Sequence, residues 1–187
     1  MSVSRNPSAF QIRQALVSDI PALRALIELS VTRLHAADYS AAQIAGSLGT
    51  IFGVDTRLIA DGTYYVVETA AAEIVGCGGW SRRKTLFGSD QAPAREDDLL
   101  DPLVDSARIR AFFVHPDWAR QGIGTQLLEA SESAARAAGF RSFELGATLT
   151  GERLYRARGY TPFEQIEVPL SNGASQPVIR MWKKAGL

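Results

Sequence analysis

The stretch FFVHPDWARQGIGTQLLEA, residues 112–130, decides how the rest of the chain is read. It opens on an apolar run, Phe112 to Val114, of the aromatic and β-branched type that fills a buried strand. Pro116 and Asp117 then favour an exit turn. From Gly122 to Ala138 the pattern predicts a helix. Ile123, Leu127, Leu128, Ala134, Ala135 and Ala138 recur on one face, Glu129, Glu132 and Arg136 fall opposite, and Gly139 supplies the stop.

A strand that enters a helix through two close glycines is also an electrostatic feature. A helix start leaves about four backbone N–H groups without partners and carries roughly half a positive unit charge. Gly122 and Gly124 remove side chains where those groups converge, Arg120 adds a fixed charge and Thr125 a hydroxyl, so a phosphate or pyrophosphate fits the junction. Two phosphate loops of other kinds do not match. The Gly-Lys-Ser/Thr ending of a Walker A loop is missing, and the dinucleotide fingerprint needs a third glycine where this chain has Leu127. On two glycines alone, a tightly packed strand-to-helix turn is the simpler account.

Upstream, FQIRQA (10–15) alternates as a half-buried strand does. A helix is expected next, with Ser18 or Asp19 as its cap, Pro21 in its first turn and an apolar stripe of Ile20, Leu23, Leu26, Ile27 and Val31. A shorter helix follows in SAAQIAGSL, and residues 63–80 read as an antiparallel hairpin. Residues 81–106 mix charge, Gly and Pro without a period; a loop of that length is usually functional or disordered, and it is a candidate substrate lip. ARIRAFFVH gives the strand that leads into the glycine junction. Beyond the junction come a strand in RSFELGA, a short helix in TGERLYRARG, and a terminal hairpin around Ser171, Asn172 and Gly173. The order is strand, two helices, three strands, helix, strand, helix, two strands, which makes an α/β mixed sheet with helices on both faces.

Composition excludes several alternatives. With 187 residues and 46% apolar content the chain can bury a full core, so residues 10–187 are expected to form one domain, behind a disordered start at residues 1–9. Twenty basic residues balance twenty acidic ones, which gives no support to nucleic acid or an anionic membrane as partner. Cys77 is the single cysteine and His35 and His115 are the two histidines, so no dedicated metal site is expected. Neither a signal peptide nor an apolar run near the roughly 20 residues of a membrane span is present, and the expected location is the cytoplasm.

In its wider context the junction resembles the acyl-CoA-binding signature of the GNAT superfamily of N-acetyltransferases. There a Val-x-Pro strand end precedes Arg/Gln-x-x-Gly-x-Gly/Ala, and backbone amides hold the pyrophosphate of acetyl-CoA. Val114, His115 and Pro116 match the strand end, and Gly122 and Gly124 match both small positions. The first signature position is Ala119 instead of Arg or Gln, with Arg120 and Gln121 beside it to supply side-chain contact. LYRARGY, Leu154 to Tyr160, resembles the family's Phe-Tyr-x-x-x-Gly-Phe segment, although Thr148 stands where members often carry Asn. The two motifs with what lies between them cover about a third of the chain.

The resemblance implies a mostly antiparallel sheet of about seven strands and direct transfer of an acetyl group from acetyl-CoA to a primary amine of a small molecule or peptide. It implies cofactor contacts from Phe112, Phe113 and Val114 on the strand, from Arg120, Gln121, Gly122, Ile123, Gly124 and Thr125 in the loop, and from Thr148. Tyr155 matches the family's general acid: a phenol near pKa ~10 stays protonated beside a thiol near ~8.5. The developing oxyanion would meet the backbone N–H of Phe113 or Val114. A lysine-like acceptor amine is neutral in about one molecule in 2,500 at pH 7, a cost of roughly 4.6 kcal/mol, so a base matters. His115 reads as a structural turn residue and Glu144 as lining an exposed strand face, and neither is assigned that role. Trp80, Arg82, Arg83, Asp97 and Asp98 could recognise polar groups of the acceptor, and His35, Tyr39 and Gln43 read as one half-exposed helix face. The alternatives are a non-catalytic acyl-CoA-sensing module and an interaction protein that forms a homodimer through its terminal hairpin.

Overall fold

The computed structural model describes residues 10–93 and 95–186, so the expectation for residues 1–9 lies outside the described residues. Seven strands form one sheet: β1 (Phe10–Gln14), β2 (Tyr64–Thr69), β3 (Ile74–Ser81), β4 (Ala107–Val114), β5 (Ser142–Ala147), β6 (Thr161–Pro169) and β7 (Ser175–Lys184). The spatial order is β1-β2-β3-β4-β5-β7-β6, antiparallel throughout except for the parallel pair β4–β5. The helices are α1 (Ile20–Leu34), α2 (Ala41–Ser47), α3 (Thr56–Ala60), α4 (Ile123–Ala137) and α5 (Glu152–Ala157).

Three features depart from the sequence reading. A third helix, α3, stands before β2; Asp55 caps it by accepting from Arg57 N at 3.1 Å, a local signal too short to show as a period. Asp19 makes no side-chain cap on α1. It accepts instead from Leu16 N at 2.7 Å and pairs with Arg13, which holds its carboxyl below the usual range. Glu132, expected on the solvent face of α4, is buried, because Lys183 Nζ (2.8 Å) and Tyr160 Oη (2.9 Å) both donate to it. A charge with that many donors can be taken out of water.

The core is divided by the sheet. On one face Val66, Cys77 and Phe113 pack against Leu23, Leu26, Ile27 and Val31 of α1. On the other, Ile109, Phe143, Leu145 and Ala147 meet Leu128 and Ala135 of α4 and Tyr155 of α5, and Val67 and Val75 meet Ile123 and Leu127. The alternation of side chains therefore sends Arg108, Arg110, Glu144 and Arg180 to the α1 face.

The pair β4–β5 determines where a ligand could enter. Its ladder consists of Ala107↔Phe143 and Arg108↔Glu144, although β4 runs on to Val114 and β5 to Ala147. The strands part after the first rungs and leave a gap between them. On the other side of β4 the register with β3 slips between Cys77/Gly79 and Phe113/Arg110, so β4 carries an extra residue. Ala111 takes a left-handed φ of 58° there, a conformation costing about 1–2 kcal/mol for a residue with a Cβ. The hydroxyl of buried Tyr64 donates to Ala111 O at 2.9 Å and ties the bulge down.

The connection between β3 and β4 is fixed to the sheet by a buried ionic cluster. Asp55 accepts from Arg95 Nη2 at 2.8 Å and pairs with Arg110 Nη1 at 2.9 Å, while Arg110 Nη2 donates to Gly88 O at 2.6 Å and Arg95 Nη1 to Ser89 O at 2.9 Å. These contacts tie the described residues of the connection to α3 and β4.

Candidate active site

At the glycine junction, left-handed backbone at Arg120 (φ 64°) and Gly122 (φ 88°) turns the chain into α4. Gly122 is the N-cap and has no side-chain cap, and the first α-type bond runs from Gln126 N to Gly122 O at 3.0 Å. Among the described residues no group accepts from the amides of Gly122, Ile123, Gly124 and Thr125. Four donors at a positive helix end, two of them on glycines, are what an anion of pyrophosphate size requires. The two glycines do different work. A Cβ on Gly122 would meet nothing within 4 Å, so its need is the positive φ; a Cβ on Gly124 would stand 3.0 Å from Leu154 Cδ2, so its need is the close approach of α5.

That approach places Tyr155, the next residue, beside β4. Its ring meets Phe112 edge-on at 6.3 Å and Tyr160 at 5.8 Å. The residue is buried, which raises the phenol well above its ordinary pKa, and its hydroxyl has no partner among the described residues. Thr148 lies just past the end of β5, and its Oγ1 accepts from Gly151 N at 3.0 Å, closing the turn into α5. Arg158 Nη2 reaches Thr125 Oγ1 at 3.1 Å, a second tie between α5 and the start of α4.

The two strand amides named for the oxyanion point opposite ways. His115 N donates to Val75 O at 2.9 Å, so two residues earlier the Phe113 N–H also faces β3, opposite Cys77. Val114 N–H faces the other way and donates to Ser30 Oγ at 3.3 Å. Ser30, a candidate site residue by this contact, is one that sequence reasoning missed. Its signal was a hydroxyl at a position of the α1 apolar stripe, i+3 from Ile27 and i+4 from Leu26.

The remaining candidates separate. Glu144 is buried, not on an exposed face, because Arg108 and Arg180 Nη2 (2.6 Å) both pair with it. His115 Nδ1 accepts from Asp117 N at 3.2 Å at the turn. Trp80 is buried against Phe140, Arg83 pairs with Asp61, Arg57 with Asp97 and Lys84 with Asp98. His35 and Tyr39 are buried, since α1 ends at Leu34 and the chain turns inward. Burial pushes the Cys77 thiol up to about 12, which leaves it protonated at neutral pH.

On the α1 face a cleft of about 660 Å³ lies between the β3–β4 connection and the β6–β7 hairpin. Ile51, Leu86, Phe87 and Leu170 give it apolar walls, and Arg108 and Arg180 form its floor. Phe87 lies over β5, its Cδ1 3.2 Å from where a Cβ on Gly146 would be, two residues before Thr148. The cleft and the glycine loop are thus on opposite faces of the sheet.

No curated protein matches the chain. Among solved structures it is similar to a GCN5-related N-acetyltransferase from Rhodopseudomonas palustris, with 23% identity, 95% of this chain and 96% of that one covered, and a TM-score of 0.69. It is also similar to the PaiA N-acetyltransferase of Thermoplasma acidophilum in complex with coenzyme A (13%, 95% and 99%, 0.64) and to yncA of Salmonella typhimurium with its cofactor acetyl-CoA (18%, 94% and 94%, 0.62). At these identities the likeness is one of fold. The model of the acetyltransferase (GNAT) domain matches residues 60–162. Because that match spans more than half of the sequence, and includes the glycine loop, the parted strands and Tyr155, the chain belongs to the GNAT family of acetyl-CoA-dependent acyltransferases.

Proposed function

We propose that this protein moves an acetyl group from acetyl-CoA to a primary amine of a small molecule or peptide, directly, within one ternary complex. One observation carries the reading: four amides without acceptors among the described residues, Gly122 to Thr125, stand beside the gap between β4 and β5, where Tyr155 packs on Phe112. Those amides would hold the pyrophosphate, with Arg120 and Gln121 alongside. Phe112 to Val114 and Thr148, at the ends of the two parted strands, would flank the pantetheine arm.

The bound thioester supplies the acetyl group and a thiolate that must leave. Tyr155 Oη donates toward that sulfur, and burial keeps the phenol protonated through neutral pH. An apolar surrounding also disfavours a free thiolate, so the sulfur takes the proton as the carbon–sulfur bond breaks. Val114 N–H donates to the thioester carbonyl in place of Ser30 Oγ. The amine enters from the α1 face through the cleft.

Calorimetry with coenzyme A and an assay of thiol release over a panel of amines test the proposal. Tyr155→Phe should lower kcat by about 100-fold or more while the affinity for coenzyme A stays within about 3-fold. Full turnover in that variant removes Tyr155 as the acid. A wild-type protein that takes up no coenzyme A removes the proposal itself.

A further inference from the structure

Strands β5 and β7 pair in a register that sets Ser142 opposite Lys184 and Ala147 opposite Ile179. The bond from Ala185 N to Arg141 O, 2.9 Å, identifies which rungs exchange hydrogen bonds. Counting in twos along that register, the bonded rungs reach Ala147/Ile179 and then Leu149/Pro177. Pro177 has no N–H, so this last rung has one bond to make, from Leu149 N to Pro177 O. It is not made directly. Leu149 N donates to Tyr39 Oη at 2.8 Å, and Tyr39 Oη donates to Pro177 O at 3.1 Å. A hydroxyl from the segment after α1 stands in the ladder, satisfies both backbone groups and keeps them one hydrogen bond further apart.

The neighbouring residue acts on the same turn, since Asp38 Oδ2 accepts from Thr150 Oγ1 at 2.6 Å. The turn itself, Thr148 to Gly151, lies against the catalytic candidate: a Cβ on Gly151 would be 3.3 Å from Tyr155 Cε2. We infer that Tyr39 is a positioning residue for the transfer, its inserted hydroxyl holding the end of β5 where Thr148 and Tyr155 meet the gap. This rests on the reading of Tyr155 as proton donor. Without the hydroxyl, Leu149 and Pro177 either close to a direct bond or lose their partners, and in both cases the turn moves.

The test is a double-mutant cycle on kcat, measured where all variants are folded, together with the affinity for coenzyme A. Tyr39→Phe should lower kcat by about 10-fold or more and leave coenzyme A affinity within about 2-fold. In a Tyr155→Phe background the same change should alter kcat by less than about 3-fold, because the donor it positions is gone. An unchanged kcat in Tyr39→Phe, or an equal loss in both backgrounds, overturns the inference. If Tyr155→Phe alone leaves kcat intact, the donor assignment falls and this inference with it; if only Tyr39→Phe is silent, the donor assignment stands. Should Tyr39→Phe not fold, the wild type decides by NMR: a slowly exchanging Tyr39 hydroxyl proton with a cross-peak to Leu149 N–H is expected, and rapid exchange of both overturns it.

Discussion

His35 shows how much a single buried side chain can contribute to the response to pH. Its ring lies between Phe52, at 5.1 Å edge-on, and Tyr39, at 5.7 Å, and its Nδ1 has no partner among the described residues. Burial lowers its pKa to about 4, because charging the ring would place a cation among aromatic groups. In the unfolded chain the same imidazole titrates near ~6.5. Between those values the unfolded state binds more protons, so this contribution is complete above pH ~6.5 and is lost as the pH falls toward 4. The shift corresponds to about 2–3 kcal/mol between pH 7 and pH 4.5. Urea unfolding at those two pH values should show His35→Phe losing less stability on acidification than the wild type, by about that difference. Equal losses would mean that the imidazole titrates alike in the folded and unfolded chain. Asp19, held low by Arg13, pulls the same way at lower pH and is present in both proteins, so it cancels from the comparison.

At the level of elements, the junction of β4 and α4 separates two uses of glycine. Gly122→Ala introduces a Cβ into open space at φ 88°, so its cost is conformational, about 1–2 kcal/mol, and it falls on the glycine loop at the start of α4. Gly124→Ala has ordinary backbone but drives a Cβ to 3.0 Å from Leu154, so its cost falls on α5. The expected outcome is a dissociation: Gly122→Ala weakens coenzyme A binding about 10-fold by calorimetry, whereas Gly124→Ala spares binding more and lowers kcat through the neighbour of Leu154, Tyr155. The same junction shows what was legible in the sequence. The strand, the glycines, the helix stripe and the motif around Tyr155 are local patterns, and they predicted the sheet, its seven strands and helices on both faces. The misread positions depend on partners far along the chain. Glu144 and Glu132 looked solvent-facing because Arg180 and Lys183 lie 36 and 51 residues away. Ser30 and Tyr39 act on backbone groups of Val114 and Leu149, 84 and 110 residues distant, which no periodicity reveals.

Across the whole molecule, the loop that walls the cleft is held by charges buried beneath it. Asp55 is fully buried beside Arg110 and Arg95, whose side chains are 2% and 9% exposed. Burial lowers the Arg110 pKa from its usual value, and Asp55 offsets part of that penalty. The three residues come from the cap of α3, from β4 and from the β3–β4 connection, so the cluster ties one wall of the cleft to the strand that borders the gap. Removing Arg95 still leaves Asp55 and Arg110 as a balanced pair, whereas removing the charge of Asp55 leaves two guanidinium groups buried without it. Asp55→Asn should therefore cost more, about 3–5 kcal/mol in urea unfolding, and Arg95→Met less. Function should divide differently. Arg95→Met frees Ser89 O from its donor and releases the wall, so proteolysis between residues 86 and 98 should quicken and the KM for the amine rise about 10-fold. Coenzyme A affinity should hold in this variant, since the glycine loop lies on the other face of the sheet. If Arg95→Met leaves both proteolysis and the amine KM unchanged, the wall is held instead by the pairs of Arg83 with Asp61 and of Asp97 with Arg57, and the cluster serves the stability of the sheet alone.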